Sequence, residues 1–258
     1  MTTTLEGRVY IVTGGSRGFG LAIAKDLVAH GGRVGLISRN QAGLDKALNE
    51  IGTDHAFGVA GDVGHMESIT AAFAAIKEHF GRLDGLINNA GLAWPNPVEK
   101  LIEKEVVAQV NTNFLGTVFC CQAAIPLLRG GENPRILNIS SASAWHYDEI
   151  AHLSIYAATK AAVERFTRDL RLELQADNIG VTCIRPGGAI TDFAGQWSEE
   201  GFRSSLAAWK DFGTYMDMGM DVAHVGESVR YALSQPPGVA VDLLEIRPNV
   251  RTPKSIYD

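Results

Sequence analysis

The stretch RVYIVTGGSRGFGLAIAKDLVAH occupies residues 8–30. Its β-branched run, 8–12, passes directly into a glycine-rich turn over 13–20, and an apolar pattern of helical period, 18–30, starts inside that turn. Glycines there allow a tight turn and let the backbone approach a pyrophosphate, whose charge then lies at the positive end of the helix. A plain strand-to-helix turn would explain a lone glycine cluster equally well. Its position inside the first strand-helix unit is what points to a dinucleotide.

Outward from this unit the same alternation continues. Runs at 33–38, 56–60, 83–88, 135–140, 181–185 and 239–246 read as strands, with helices at 41–51, 65–80, 98–110, 114–128, 155–177 and 222–234. About seven strands in one sheet predict a single-domain, Rossmann-type α/β fold, a doubly wound parallel sheet flanked by helices that spans 1–258 without linker or repeat. One segment, 187–221, breaks the rhythm. It carries Phe193, Trp197, Phe202, Trp209, Phe212 and Tyr215, and its helical pattern is best over 199–210. A substrate-binding lid and simple packing on the core both account for it.

Composition narrows the function. The chain has 258 residues, 46% hydrophobic and 20% charged, with a net charge of −6. That acidity argues against nucleic acid as a partner, which would require a basic stripe. No apolar run reaches the roughly 18 residues of a membrane span, and residues 1–7 lack a signal-peptide pattern, so a cytoplasmic protein without membrane partners is expected. Cys120, Cys121 and Cys183 have neither metal-ligand spacing nor an even disulfide set, and read as core residues in a reducing compartment with no metal site.

The end of the second strand bears on which dinucleotide is bound. An NAD site usually places Asp or Glu there for the ribose 2′-hydroxyl, and that carboxylate would repel a 2′-phosphate. This chain has Ser38 and Arg39 instead, with Arg17 in the glycine turn. Two guanidinium groups suit a 2′-phosphate, so NADP(H) is expected over NAD(H); solvated surface charge is the plainer reading. Asp62 is placed to accept from the adenine amino group with Val63 packing beside it, or the two simply form a loop.

Tyr156 and Lys160, at i and i+4 in a helical segment, leave one helix face. An ammonium beside a phenol lowers the phenol's pKa toward neutrality, where it serves as general acid or base. The isolated pair is common by chance. Joined to the turn Thr13 to Gly20, to Asn88-Asn89-Ala90-Gly91, Asn113-Phe-Leu-Gly116, Ser140-Ser141, Tyr156-Ala-Ala-Thr-Lys160 and Pro186-Gly187 leading to Thr191, it resembles the classical short-chain dehydrogenase/reductase family over nearly the whole chain.

That resemblance implies roles. Tyr156 would give or take the proton, Lys160 would lower its pKa and hold the nicotinamide ribose, and Ser141 would hydrogen-bond the substrate oxygen. Asn113 would hold a water continuing a proton relay. Gly14, Ser16 and Arg17 of the glycine turn would bind the cofactor with Phe19 packing under the nicotinamide, Asn89, Ala90 and Gly91 would line the ribose, and Pro186 and Gly187 would lead along the cofactor to Ile190 and Thr191 at the nicotinamide carboxamide. Asn111 lies close to Asn113, but Gly116 follows Asn113 with the family spacing. Ser143 competes with Ser141, because its separation from Tyr156 is the shorter; strand register favours Ser141. Phe19 stands where the family usually has Ile or Leu, and VDLLEIRP, residues 241–248, lacks the glycine pair common after its aspartate.

Trp94, Trp145, His146, Tyr147, Phe193 and Trp197, with Ser143, fall in loops after strand ends, where ligands of open α/β sheets bind. They suggest an apolar, ring-containing carbonyl or secondary alcohol as substrate, or else pack loops and subunit contacts. His146 either orients a polar substrate group or is simply solvated. The expected activity is an NADP-dependent oxidoreductase acting on CH–OH groups. A regulatory NAD(P)-binding protein and a dehydratase or epimerase are the alternatives, which a cofactor-redox assay separates. By analogy with the family, 98–110 and 114–128 would pair subunits into a dimer or tetramer.

Overall fold

A computed structural model describes residues 3–146, 151–189, 191–217 and 219–257. Seven parallel strands form one sheet in the order β3-β2-β1-β4-β5-β6-β8. They are β1 (Val9–Thr13), β2 (Arg33–Ser38), β3 (Ala56–Ala60), β4 (Gly85–Asn88), β5 (Arg135–Ile139), β6 (Gly180–Pro186) and β8 (Leu243–Ile246). The order reverses between β1 and β4, which opens a crevice beyond their carboxyl ends.

Alternation along β1 shows why both faces need helices. Val9 and Ile11 join one core with Phe73, Ile76, Cys120 and Cys121, whereas Tyr10 and Val12 join the other with Ile23, Leu27, Val225 and Val229. The first core lies under α3 (Met66–Phe80), α5 (Gly116–Leu128) and α6 (Ser154–Glu173). The second lies under α1 (Gly18–Ala29), α2 (Gln41–Ile51) and α8 (Ala223–Leu233). All three cysteines are buried and free.

The structure departs from the sequence reading at 98–110. That segment is a short 3₁₀ turn, Val98–Lys100, followed by α4 (Glu103–Gln109). Extended Leu101 and Ile102 separate the two, and Val98 and Ile102 remain exposed, so their helical spacing reflects no buried face. A π turn, Val110–Leu115, takes up what the sequence assigned to the start of the next helix. The last sheet strand begins only at Leu243, because 239–242 follow a turn at Gly238 and only Leu243 onward pairs with β6.

Within 187–221 lies α7 (Glu199–Lys210), and β7 (Tyr215–Met216) pairs antiparallel with β9 (Thr252–Pro253) outside the main sheet. Two-residue strands carry no periodic signal, so the sequence does not announce this pair. No helix among the described residues is long and apolar enough to cross a membrane.

Candidate active site

The turn after β1 is built on backbone proximity. Gly14 and Gly18 have φ of +65° and +54°, a region that disfavours side chains. A Cβ on Gly20 would lie 2.2 Å from the Gly14 carbonyl oxygen. Asn89 ties the next loop to this turn: its Nδ2 donates to the Thr13 carbonyl at 3.0 Å, and the amides of Asn89 and Ala90 donate to Thr13 Oγ1 at 3.0 and 3.1 Å. The N-cap of α1, Arg17, makes no side-chain cap, and no acidic residue stands in the first turn. The positive helix end thus faces the crevice with no side-chain cap and no acid in its own first turn, which fits a dinucleotide's pyrophosphate.

At the end of β2, Ser38 Oγ lies 3.0 Å from Ser16 Oγ. Arg17 and Arg39 flank this pair, both exposed, and neither makes an ion pair or side-chain hydrogen bond within the described residues. Asp62 Oδ1 accepts the Gly64 amide at 2.9 Å, and its other oxygen is 3.6 Å from His65 Nδ1. Its carboxylate thus shapes the loop while lining the crevice, with buried Val63 beside it.

Tyr156 and Lys160 share one face of α6, and both are buried. Lys160 Nζ donates to the Ile139 carbonyl at 2.7 Å and lies 5.8 Å from the centre of the Tyr156 ring. Burial pushes Lys160 down from 10.5 to about 8. Between those values the unfolded chain holds a proton that the folded chain has released. Folding therefore gains progressively as pH rises from about 8 to about 10.5, and this gain is absent below about 8. The slope of unfolding free energy against pH across that range should be more positive in the parent than in Lys160→Met, a comparison in which the opposing contribution of the buried cysteines, whose thiols burial pushes up, cancels; equal slopes would contradict the assignment.

Asn113 sits in the π turn, a helix irregularity frequent at functional sites. Its side chain exchanges two 2.9 Å bonds with the Leu92 backbone and donates to Thr159 Oγ1 at 3.0 Å. Both Nδ2 hydrogens are thereby engaged. The Asn113 carbonyl accepts Thr117 Oγ1 at 2.9 Å. Ser141 caps a short 3₁₀ turn, with its Oγ accepting the Ser143 amide and lying 3.0 Å from Ser143 Oγ.

One cavity of about 480 Å³ joins these parts. It runs from Ser16, Arg17, Ser38 and Arg39, past Gly14, Phe19, Asp62, Val63, Asn89, Ala90 and Gly91, to Ser141, Ser143, Tyr156 and Lys160. Pro186, Gly187, Thr191, Phe193 and Trp197 line its other wall. Asn113 stands behind the wall, and Ile190 and Tyr147 lie outside the described residues.

A family model described as short chain dehydrogenase matches residues 8–201. The chain belongs to that family. An uncharacterized oxidoreductase of Staphylococcus epidermidis is 31% identical over 244 residues, covering 95% of this chain and 98% of its own. A 3-ketoacyl-(acyl-carrier-protein) reductase from Brucella melitensis, solved with NADH, superposes with a TM-score of 0.81 at 28% identity, over 95% of this chain and 98% of its own. An alcohol dehydrogenase from the archaeon Thermococcus sibiricus, complexed with 5-hydroxy-NADP, gives 0.77 at 27% identity, over 94% and 97%.

Three aromatic side chains expected around the substrate of this short-chain dehydrogenase line no part of the cavity. His146 Nε2 is 2.6 Å from Glu245 Oε1, Glu245 also holds Arg185 at 2.7 Å, and Trp145 stacks over Arg185 at 5.6 Å. This ion network draws the loop after β5 over the ends of β6 and β8, away from the crevice. Trp94 turns outward, donating from Nε1 to the Gln196 carbonyl. The cavity wall instead includes Leu153, Phe202, Ser205, Leu206 and Trp209. The last four recur at i, i+3, i+4 and i+7 on one face of α7, a signal present in the sequence.

Proposed function

We propose that this short-chain dehydrogenase transfers hydride between NADP(H) and the carbonyl or secondary alcohol of an apolar, ring-bearing small molecule. The observation that carries the reading is the position of Tyr156. It sits where the crevice from the uncapped end of α1 meets the pocket walled by Phe193 and Trp197. The nicotinamide, when bound, supplies or takes the hydride.

The chain's own residues do the rest. In reduction the Tyr156 hydroxyl donates its proton to the carbonyl oxygen, and the Lys160 ammonium stabilises the phenolate left behind. With Ser143 Oγ as the donor of the serine pair, Ser141 Oγ accepts both that hydroxyl and the Ser143 amide and turns its own hydrogen to the same substrate oxygen. A water held at Asn113 would return the proton. Arg17 and Arg39 clamp the 2′-phosphate, Asp62 accepts from the adenine, and Thr191, whose Oγ1 fixes the Phe193 amide, meets the nicotinamide side.

Titration of purified protein with NADPH and NADH, in parallel with Arg39→Asp, tests the cofactor assignment. NADPH should bind at least about tenfold more tightly to the parent, and the substitution should remove that preference. Equal affinities in the parent would overturn it.

Exposed Val98, Ile102, Val107 and Val110 support self-association through the 98–128 region, as a dimer or tetramer. The three free, buried cysteines support a reducing compartment such as the cytoplasm.

A further inference from the structure

The rear of the cavity is closed by the inner face of α7, ending at Trp209, which is 4% exposed. Just before α7 and midway along it, this wall is tied to the loops around the site. Trp197 Nε1 donates to the Ala93 carbonyl at 2.8 Å, and Ser205 Oγ donates to the Ala151 carbonyl at 2.6 Å. The other end is held from far along the chain. Lys254, 3% exposed, donates from Nζ to the Trp209 carbonyl, and the same ammonium lies 4.9 Å from the centre of the Trp209 ring.

Two kinds of attraction meet in this one contact. A cation near the carboxyl end of a helix opposes the negative end of the dipole, and here it adds a charged donor to a carbonyl that also accepts the Phe212 amide at 3.1 Å. A cation over an indole is attracted by the ring's electron-rich face, more strongly when both are out of water. The backbone fixes the reach: β9 pairs with β7, and the Lys254 amide donates to the Thr214 carbonyl at 2.9 Å. Lys254 is thereby delivered to Trp209 by a short strap that leaves the main sheet. Both residues lie beyond the 8–201 match, in a part of the chain the family model does not describe.

We propose that Lys254 is a positioning residue of the substrate site, locking Trp209 as the rear wall and so setting the size of ring system that the cavity admits. This rests on the reading of the cavity as the substrate pocket. Lys254 touches neither the cradle of α1 nor Tyr156, so its loss should leave cofactor binding unchanged.

The test uses the full chain with Lys254→Met, which keeps most of the stem volume, and Lys254→Arg, which keeps the charge. In Lys254→Met, amide hydrogen exchange over 199–210 should quicken by about tenfold while exchange in β1 to β6 is unchanged. Indole emission should shift, and that shift should vanish in a Trp209→Phe background. With NADPH bound, KM for a bicyclic ketone should rise about tenfold, with kcat and KM for a monocyclic ketone held, and Lys254→Arg should recover most of the loss. Unchanged exchange over 199–210 would overturn the proposal, as would equal changes in KM for both ketones. Exchange needs no substrate, so a parent protein that turns nothing over would sink the functional reading and still leave the Lys254 contact decided.

Discussion

Tyr156→Phe is expected to lower kcat for carbonyl reduction by about a thousandfold while NADPH affinity stays within about a factor of two. The substitution removes one oxygen and keeps the ring, which packs edge-on against Phe193 at 5.3 Å between centres. The wall of the pocket thus survives. The group lost is the one placed to move a proton, and Lys160 remains buried beside the ring with no acidic hydroxyl to poise. Steady-state kinetics and a cofactor titration on the same preparation check both halves. A variant retaining near-parental kcat would mean the proton comes from elsewhere.

Gly20→Ala acts on the cradle instead. Its Cβ would meet the Gly14 carbonyl oxygen at 2.2 Å and the Asn89 amide nitrogen at 2.6 Å. Neither can yield cheaply: the first is backbone, and the second holds the Thr13 carbonyl. Relief requires the turn to open away from the start of α1, which removes the amides that would face the pyrophosphate. Dinucleotide affinity should fall at least about a hundredfold, the equivalent of about 3 kcal/mol of overpacking and lost contact. Binding within threefold or so of the parent would show that the phosphates lie elsewhere. A neighbouring control, Gly52→Ala, removes a positive-φ glycine with open space around it, so any loss there reflects backbone conformation alone.

What was legible in the sequence was local. The glycine turn, the strand at 33–38, the helix at 41–51 and the Tyr156 and Lys160 pair are each written in a few adjacent or periodically spaced residues, and the structure places them accordingly. What was not legible depends on partners far along the chain. The direction of the loop carrying Trp145 and His146 is set by Glu245 and Arg185, which no local pattern announces. The π turn at Asn113 differs from a helix by one residue in its hydrogen-bond step, and apolar spacing does not resolve that difference. Likewise the β7 and β9 pair brings Lys254 to Trp209 across 45 positions of sequence. The face of α7 is written in the spacing of Phe202, Ser205, Leu206 and Trp209, whereas aromatic content does not separate them from Trp94 and Trp145, whose side chains lie outside the cavity lining.

Hydride transfer governed by Tyr156 is the step on which the proposed activity depends. The most direct measurement follows the loss of NADPH absorbance as the protein is mixed with a panel of cyclic and aromatic ketones, run side by side with Tyr156→Phe. Consumption by the parent on at least one ketone, abolished in a variant that still binds NADPH, is the predicted result. A parent that binds NADPH and consumes none across the panel, or a variant that matches it, would contradict the account.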